Sequence, residues 1–174
     1  MSTSIRIGAI LLAAGSSRRF GADKRLAMLA DGRTLLARAL QTLREAVDEC
    51  VLVIGATEAE DEYRRRFPGV RVVRSPRSTG GMGCSLADAA ARCLHWHGCL
   101  VALADKPFVR PATVVRVRTL LAEHALVVPT WEGEWGHPVG FARQHFHALT
   151  ALSGERGARE IGRASCRERV YVLV

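Results

Sequence analysis

Residues 5–24 read Ile-Arg-Ile-Gly-Ala-Ile-Leu-Leu-Ala-Ala-Gly-Ser-Ser-Arg-Arg-Phe-Gly-Ala-Asp-Lys. Ile5–Leu12 is a short apolar run ending in Gly15, which predicts a strand buried on both faces. Small residues directly after such a strand let backbone N–H groups approach a phosphate closely. Arg18, Arg19 and Lys24 place positive charge in the same loop. The stretch is neither GxGxxG nor GxxxxGKS/T, so neither the dinucleotide fingerprint nor the Walker mechanism is indicated. On composition alone, a surface turn with solvated charges explains the loop as well as an anion site does.

Working outward, strand-like and helix-like segments alternate. Thr34–Val47 is helical by pattern, with Leu36, Leu40, Leu43 and Val47 on one face. Cys50–Ile54 reads as a second strand, and Thr57-x-x-Glu60 as a capping box opening a charged helix to about Phe67. Val70–Val73 is a third strand, and Ser75–Gly83 a polar, glycine-rich loop. A helix is expected to start at Ser85-Leu-Ala-Asp88 and run to about His95. Cys99–Leu103 is a fourth strand, and Pro111 opens a helix with Val114, Val117 and Leu121 on one stripe. Leu126–Pro129 and Val139–Ala142 read as strands, Trp131–Gly136 as a turn and Gln144–Leu152 as a helix. This β-α alternation with short connections predicts a mostly parallel, mixed α/β sheet covered by helices on both faces. In such folds the site sits at the carboxyl ends of the strands.

The chain has 174 residues, 48% hydrophobic and 24% charged, which fits one globular domain. No apolar run reaches the roughly 18 residues of a membrane span. The N-terminal run lacks a small-residue cleavage site and does not read as a signal peptide. Cys50, Cys84, Cys93, Cys99 and Cys166 are odd in number and lack CxxC spacing. They argue against a disulfide framework or a zinc site and for a reducing, cytoplasmic setting. Lys and Arg total 25 against 17 acidic residues, a net charge of +8. The basic residues are dispersed, and only 6% of residues are aromatic. That pattern favours a small polyanion over nucleic acid.

Three further loops carry candidate chemistry. Gly81, Gly83 and Ser85 in Ser78-Thr-Gly-Gly-Met-Gly-Cys-Ser-Leu86 precede a helix and suit contact by backbone groups. Asp105 in Leu103-Ala-Asp-Lys-Pro107 is a carboxylate at a strand's carboxyl end. It suits Mg²⁺, which keeps waters and substrate phosphates as its other ligands, or it simply caps the next turn. His137 in Gly136-His-Pro-Val-Gly-Phe141 could donate to an anion, although a lone histidine is more often structural.

Five segments in order — LAAGSSRRFG with Lys24, GMGCSL, LADKP, GHPVGF and Leu152-x-Gly-Glu-Arg-Gly-Ala-Arg159 — resemble the molybdenum cofactor nucleotidyltransferases. The resemblance implies a three-layer, Rossmann-like nucleotidyltransferase fold. It also implies transfer of NMP from an NTP to a terminal phosphate, with release of pyrophosphate. LAAG with GM-x-x-SL resembles the cytidylyl branch, so the implied substrates are CTP and molybdenum-molybdopterin. An apo molybdenum hydroxylase is an implied partner. Leu12, Ala13, Ala14, Gly15, Ser16 and Ser17 would line the nucleotide site, with Arg19 and Lys24 offsetting triphosphate charge. Asp105 would hold Mg²⁺, Gly81, Gly83 and Ser85 would meet base and ribose, and His137 would face the acceptor. Two other readings stay open. One is a related transferase acting on another phosphorylated acceptor, such as a sugar phosphate. The other is a non-catalytic nucleotide- or cofactor-binding protein.

The family's closing Asp-x-Asp-Thr-Pro-Glu-Asp segment has no counterpart here. Residues 161–170 read Ile-Gly-Arg-Ala-Ser-Cys-Arg-Glu-Arg-Val. That string is the translation of ATC GGA AGA GCG TCG TGT AGG GAA AGA GTG, part of a common sequencing adapter. The expectation is a nucleotidyltransferase domain over residues 1–160, a non-native tail over 161–174, and reduced activity through truncation. Sequencing the source genomic locus checks this. Adapter-free native DNA that diverges after Arg159 is expected, and an uninterrupted native frame through Val174 overturns it.

Overall fold

The structure is a computed structural model that describes residues 5–15, 23–155, 157–158, 161–162 and 169–173. Its centre is strand β1 (Ile7–Leu12), every residue of which is buried. β1 pairs in parallel with β2 (Glu49–Ile54) on one edge and β4 (Gly98–Leu103) on the other, so that Leu11 lies between Leu52 and Ala102. β3 (Arg71–Arg74) extends the sheet beyond β2. β7 (Val139–Ala142) runs antiparallel to β4 and pairs with β5 (Leu126–Trp131). β6 (Glu134–Trp135) forms a hairpin with β5, and β8 (Arg169–Leu173) lies parallel to β5. The order is β3-β2-β1-β4-β7-β5-β6, with β8 beside β5.

Period-two alternation in the strands builds two cores, one on each face. Ala9 and Leu11 face a layer made by α1 (Leu35–Arg44) and α4 (Pro111–Leu120), through Leu36, Leu40, Leu43, Val114 and Val117. Ile10 and Leu12 face the other layer, where α3 (Met82–Ala90), α5 (Phe146–Thr150) and Trp96 supply Leu86, Ala89, Phe146 and Leu149. Helices therefore cover both faces of a mostly parallel sheet, the expected three-layer Rossmann-like arrangement. Among the described residues no helix is long and apolar enough to cross a membrane.

Several local expectations shift for tertiary reasons. The Thr34 side chain does cap α1, accepting from Ala37 N–H at 3.2 Å. The Thr57-x-x-Glu60 box does not form. Helix α2 (Glu60–Arg66) instead starts after Ala59 with no side-chain cap. Residues 55–58 are drawn into a turn whose Gly55 N–H donates to the Glu58 side chain at 2.5 Å. α3 begins at Met82, before Ser85, because Gly81 at φ +108° turns the chain and Gly83 N–H finds the Gly154 carbonyl at 2.9 Å. It also ends at Ala90, short of His95, and the chain then turns to bury Trp96. The turn expected at Trp131–Gly136 carries a short strand.

Gly8 is required by packing. A Cβ there would lie 2.5 Å from three ring atoms of Trp96, which is fully buried and whose indole N–H donates to Glu49 at 2.8 Å. Gly8→Ala is expected to lower stability by about 1–3 kcal/mol, as overpacking of a rigid core does. Urea denaturation midpoints check this, and an unchanged midpoint contradicts the packing.

Candidate active site

The sheet changes direction of winding at β1. β1 connects through α1 to β2 on one side, while β3 connects through α3 to β4 on the other side of β1, the arrangement that opens a crevice at strand carboxyl ends. A cleft of about 1120 Å³ lies there. Its walls come from the end of β1 (Leu12 to Gly15), the 55–58 turn, Ser78 and Thr79, the start of α3, and Leu103 to Asp105. Backbone bonds tie these strand ends together, with Ala13 N–H donating to Val53 O at 2.9 Å and Ala104 N–H to Leu12 O at 3.1 Å.

Of the candidate residues, Leu12, Ala13, Ala14, Gly15, Lys24, Gly81, Ser85 and Asp105 all line this cleft. Ser16, Ser17 and Arg19 lie outside the described residues. Gly83 is buried in the first turn of α3, with its amide on Gly154. His137 lines a separate small pocket with Lys106 and Pro107, its Nδ1 3.3 Å from the Val101 carbonyl oxygen. The helix-start loop is held from behind by Asp88. Asp88 accepts from Ser75 Oγ at 2.7 Å and Arg77 Nε at 2.7 Å. Burial opposes Asp88 ionisation, but these bonds hold its carboxyl below the usual range.

A cluster that sequence reading missed shapes the opposite wall. Arg25 donates through Nε to Asp23 at 2.7 Å and through Nη2 to Glu58 at 2.5 Å, and its Nη1 reaches the Ala13 carbonyl. Glu58 also accepts from Tyr63 Oη at 2.5 Å. Burial alone would push Glu58 up, yet the bonds from Arg25, Tyr63 and Gly55 more than offset it and its carboxyl sits below the usual range. The Arg25 hydrogen bond likewise holds Asp23 low. Burial pushes the Tyr63 phenol up, and the Glu58 carboxylate beside it adds to the effect. Only the adjacency of Asp23 to Arg25 is visible in sequence; Glu58 is 33 positions away.

Burial raises the Cys50 and Cys93 thiols to about 12, which removes them as nucleophiles. Among the described residues no group of three His, Cys, Asp or Glu side chains could hold a metal. Asp105 and Glu155 are exposed carboxylates on the same cleft. Hard oxygen donors in that number fit a magnesium-type ion, which takes one or two carboxylates and fills its shell with waters and phosphates. The cleft thus combines small backbone-exposing residues, a lysine and carboxylates, a set suited to a nucleotide with its cation.

Comparison with known proteins agrees. Residues 9–170 match the family of the MobA-like NTP transferase domain. Nicotine blue oxidoreductase of Paenarthrobacter nicotinovorans is 34% identical over 116 residues, 66% of this chain and only 55% of that protein. Purine catabolism protein PucB of Bacillus subtilis is 26% identical over 87% of this chain and 78% of its own length. The crystal structure of Rv0371c from Mycobacterium tuberculosis superposes with TM-score 0.84 at 28% identity, covering 99% of this chain and 89% of that one. A manganese complex of Rv0371c superposes with TM-score 0.79 at 27% identity and the same coverage. The chain belongs to the MobA-like NTP transferase family.

Carboxyls held below their unfolded values contribute stability that is complete above the ordinary carboxylate range and lost as pH falls through the lowered values. At neutral pH, Glu58→Gln is expected to unfold at lower urea than the parent. That gap should narrow on acidification below about pH 4, where the parent's own carboxyls protonate. Urea midpoints across this range check it, and a gap that stays constant with pH contradicts the assignment.

Proposed function

We propose that this member of the NTP transferase family transfers CMP from CTP to the terminal phosphate of molybdenum-molybdopterin. A phosphate oxygen of the acceptor attacks the α-phosphorus, the bond to the β-phosphate oxygen breaks, and pyrophosphate leaves. The acceptor is already a strong oxygen nucleophile, so no activated side chain is required. The protein's work is to bring two polyanions together and offset their charge.

The observation that carries this reading is the meeting of Lys24 and Asp105, 81 positions apart in sequence, on one cleft at the switch point of the sheet. In the proposal Gly15, Ser16 and Ser17 cradle the triphosphate while Lys24 and Arg19 offset its charge. Leu12, Ala13, Ala14, Gly81 and Ser85 form the wall against base and ribose. Gly83 acts indirectly, by seating the first turn of α3. Asp105 would hold Mg²⁺, Glu155 lines the same cleft, and the ion, when bound, would supply charge neutralisation on the nucleotide phosphates. The manganese complex of Rv0371c supports a divalent cation here. The preference for CTP and molybdopterin rests on the LAAG and GMGCSL motifs. The proposed catalytic unit is residues 1–160; among the described residues the cleft lining runs to Glu155.

Transfer of α-phosphate label from each of the four NTPs, with molybdopterin as acceptor, tests the reading. Label is expected to move preferentially from CTP; preference for GTP reverses the base assignment. Lys24→Ala and Asp105→Asn are each expected to slow transfer by roughly 10²–10³-fold, the scale of one lost contact to developing phosphate charge. Lys24 opens a short 3-10 turn and Asp105 lies in a loop after β4, so neither change removes a core contact and circular dichroism should be unchanged. Near-normal turnover of Asp105→Asn removes it as metal ligand.

A further inference from the structure

Next to Lys24 sits a residue that the nucleotidyl-transfer reading leaves unused. We propose that Arg25 is a positioning residue. It locks the Lys24 loop onto the end of β1 and onto the 55–58 turn, and so sets where Lys24 stands relative to the nucleotide phosphates. The inference rests on the assignment of Lys24 made above.

A guanidinium has five N–H donors in a rigid planar fork, and Arg25 makes five side-chain hydrogen bonds. Two go to Asp23, from Nε at 2.7 Å and Nη2 at 2.6 Å. Two go to Glu58, from Nη1 at 3.1 Å and Nη2 at 2.5 Å. The fifth goes from Nη1 to the Ala13 carbonyl. The donors are spent, two carboxylates balance the charge, and only 14% of the side chain is exposed. Arg25 is therefore poorly placed to grip a triphosphate itself. Its effect is mechanical.

Each of its three anchors is fixed in turn. Asp23 caps the short 3-10 turn Lys24–Leu26, accepting from Arg25 N–H at 3.0 Å. Ala13 is pinned by its own N–H on Val53 O at 2.9 Å. Glu58 holds Gly55 N–H and the Tyr63 hydroxyl, each at 2.5 Å. Ala56 N–H, in the same turn, donates to Ser78 Oγ at 2.9 Å and so links it to the α3 side of the cleft. The segments after β1 and β2 thus converge on one side chain that adjoins the proposed catalytic lysine, and the segment after β3 is tied to the second of them. Charge alone cannot reproduce this, because a lysine at position 25 supplies one point donor group where the site demands a fork.

The test is a double-mutant cycle with Arg25→Lys, Lys24→Ala and the double variant, assayed by label transfer from the nucleotide that the parent uses. Arg25→Lys is expected to lower kcat roughly 10–10²-fold, the cost of a misplacement of about 1 Å, with a smaller change in KM. In the double variant the Arg25 change should add nothing to the Lys24→Ala loss, because the group being placed is gone. Losses that multiply, or a parent-like kcat in Arg25→Lys, overturn the proposal. If Arg25→Lys does not fold, Glu58→Gln enters the same cycle with the same expectations. Hydrogen exchange supplies a readout independent of turnover. Amides of residues 23–27 and 55–58 should exchange faster in Arg25→Lys while those of β4 do not, and unchanged exchange at 23–27 overturns the clamp. A parent protein that transfers label from no nucleotide would instead overturn the proposed function, leaving exchange to decide the clamp.

Discussion

β1 is hydrogen-bonded along both edges and buried on both faces, and the rest of the molecule is arranged around that constraint. A strand so enclosed can release the chain only at its end. The residues after Leu12 must therefore emerge where the neighbouring crossovers part, at the carboxyl ends of β1, β2 and β4. The cleft is the space that this parting leaves. Its position follows from backbone pairing before any side-chain chemistry is considered.

The loops that line the cleft have little apolar surface to anchor them. They are held by polar latches. Arg25 joins the loop after β1 to the turn after β2, Asp88 ties the loop after β3 to α3, and the Gly154 carbonyl seats the first turn of α3 through Gly83. Gly81 is indispensable to the last contact. It combines φ +108° with a Cβ position 2.5 Å from the Gly154 backbone. Half-buried ion pairs of this kind are costly to break singly, since the partner is left with an uncompensated charge.

Electrostatically the cleft is not simply a basic pocket, despite a net charge of +8. Its lining holds Asp23, Glu58, Asp105 and Glu155 as well as Lys24 and Arg25. Asp23 and Glu58 are committed to Arg25. Asp105 and Glu155 are exposed and suited to a cation, which would convert their negative charge into a bridge to phosphate. A nucleotide-handling role for such a mixed site thus depends on separating carboxylates that brace the wall from carboxylates that face the ligand.

The sequence by itself determined the layered fold. Apolar runs such as Ile5–Leu12 and Cys50–Ile54 and stripes such as Leu36, Leu40 and Leu43 are local periodicities, and local periodicity dictates which face of each element is buried. It also pointed to Lys24, Asp105 and Leu12 to Gly15 as candidates, because those lie in contiguous motifs, and the fold brings them to one cleft. Tertiary structure alone decided that Thr57 would not cap α2, that Gly83 would serve Gly154 rather than the cleft, and that His137 would line a different pocket. It alone paired Arg25 with Glu58. Each of these depends on which donor meets which acceptor across dozens of residues. Such a choice is made when strands pack side by side, and it leaves no periodic trace along the chain.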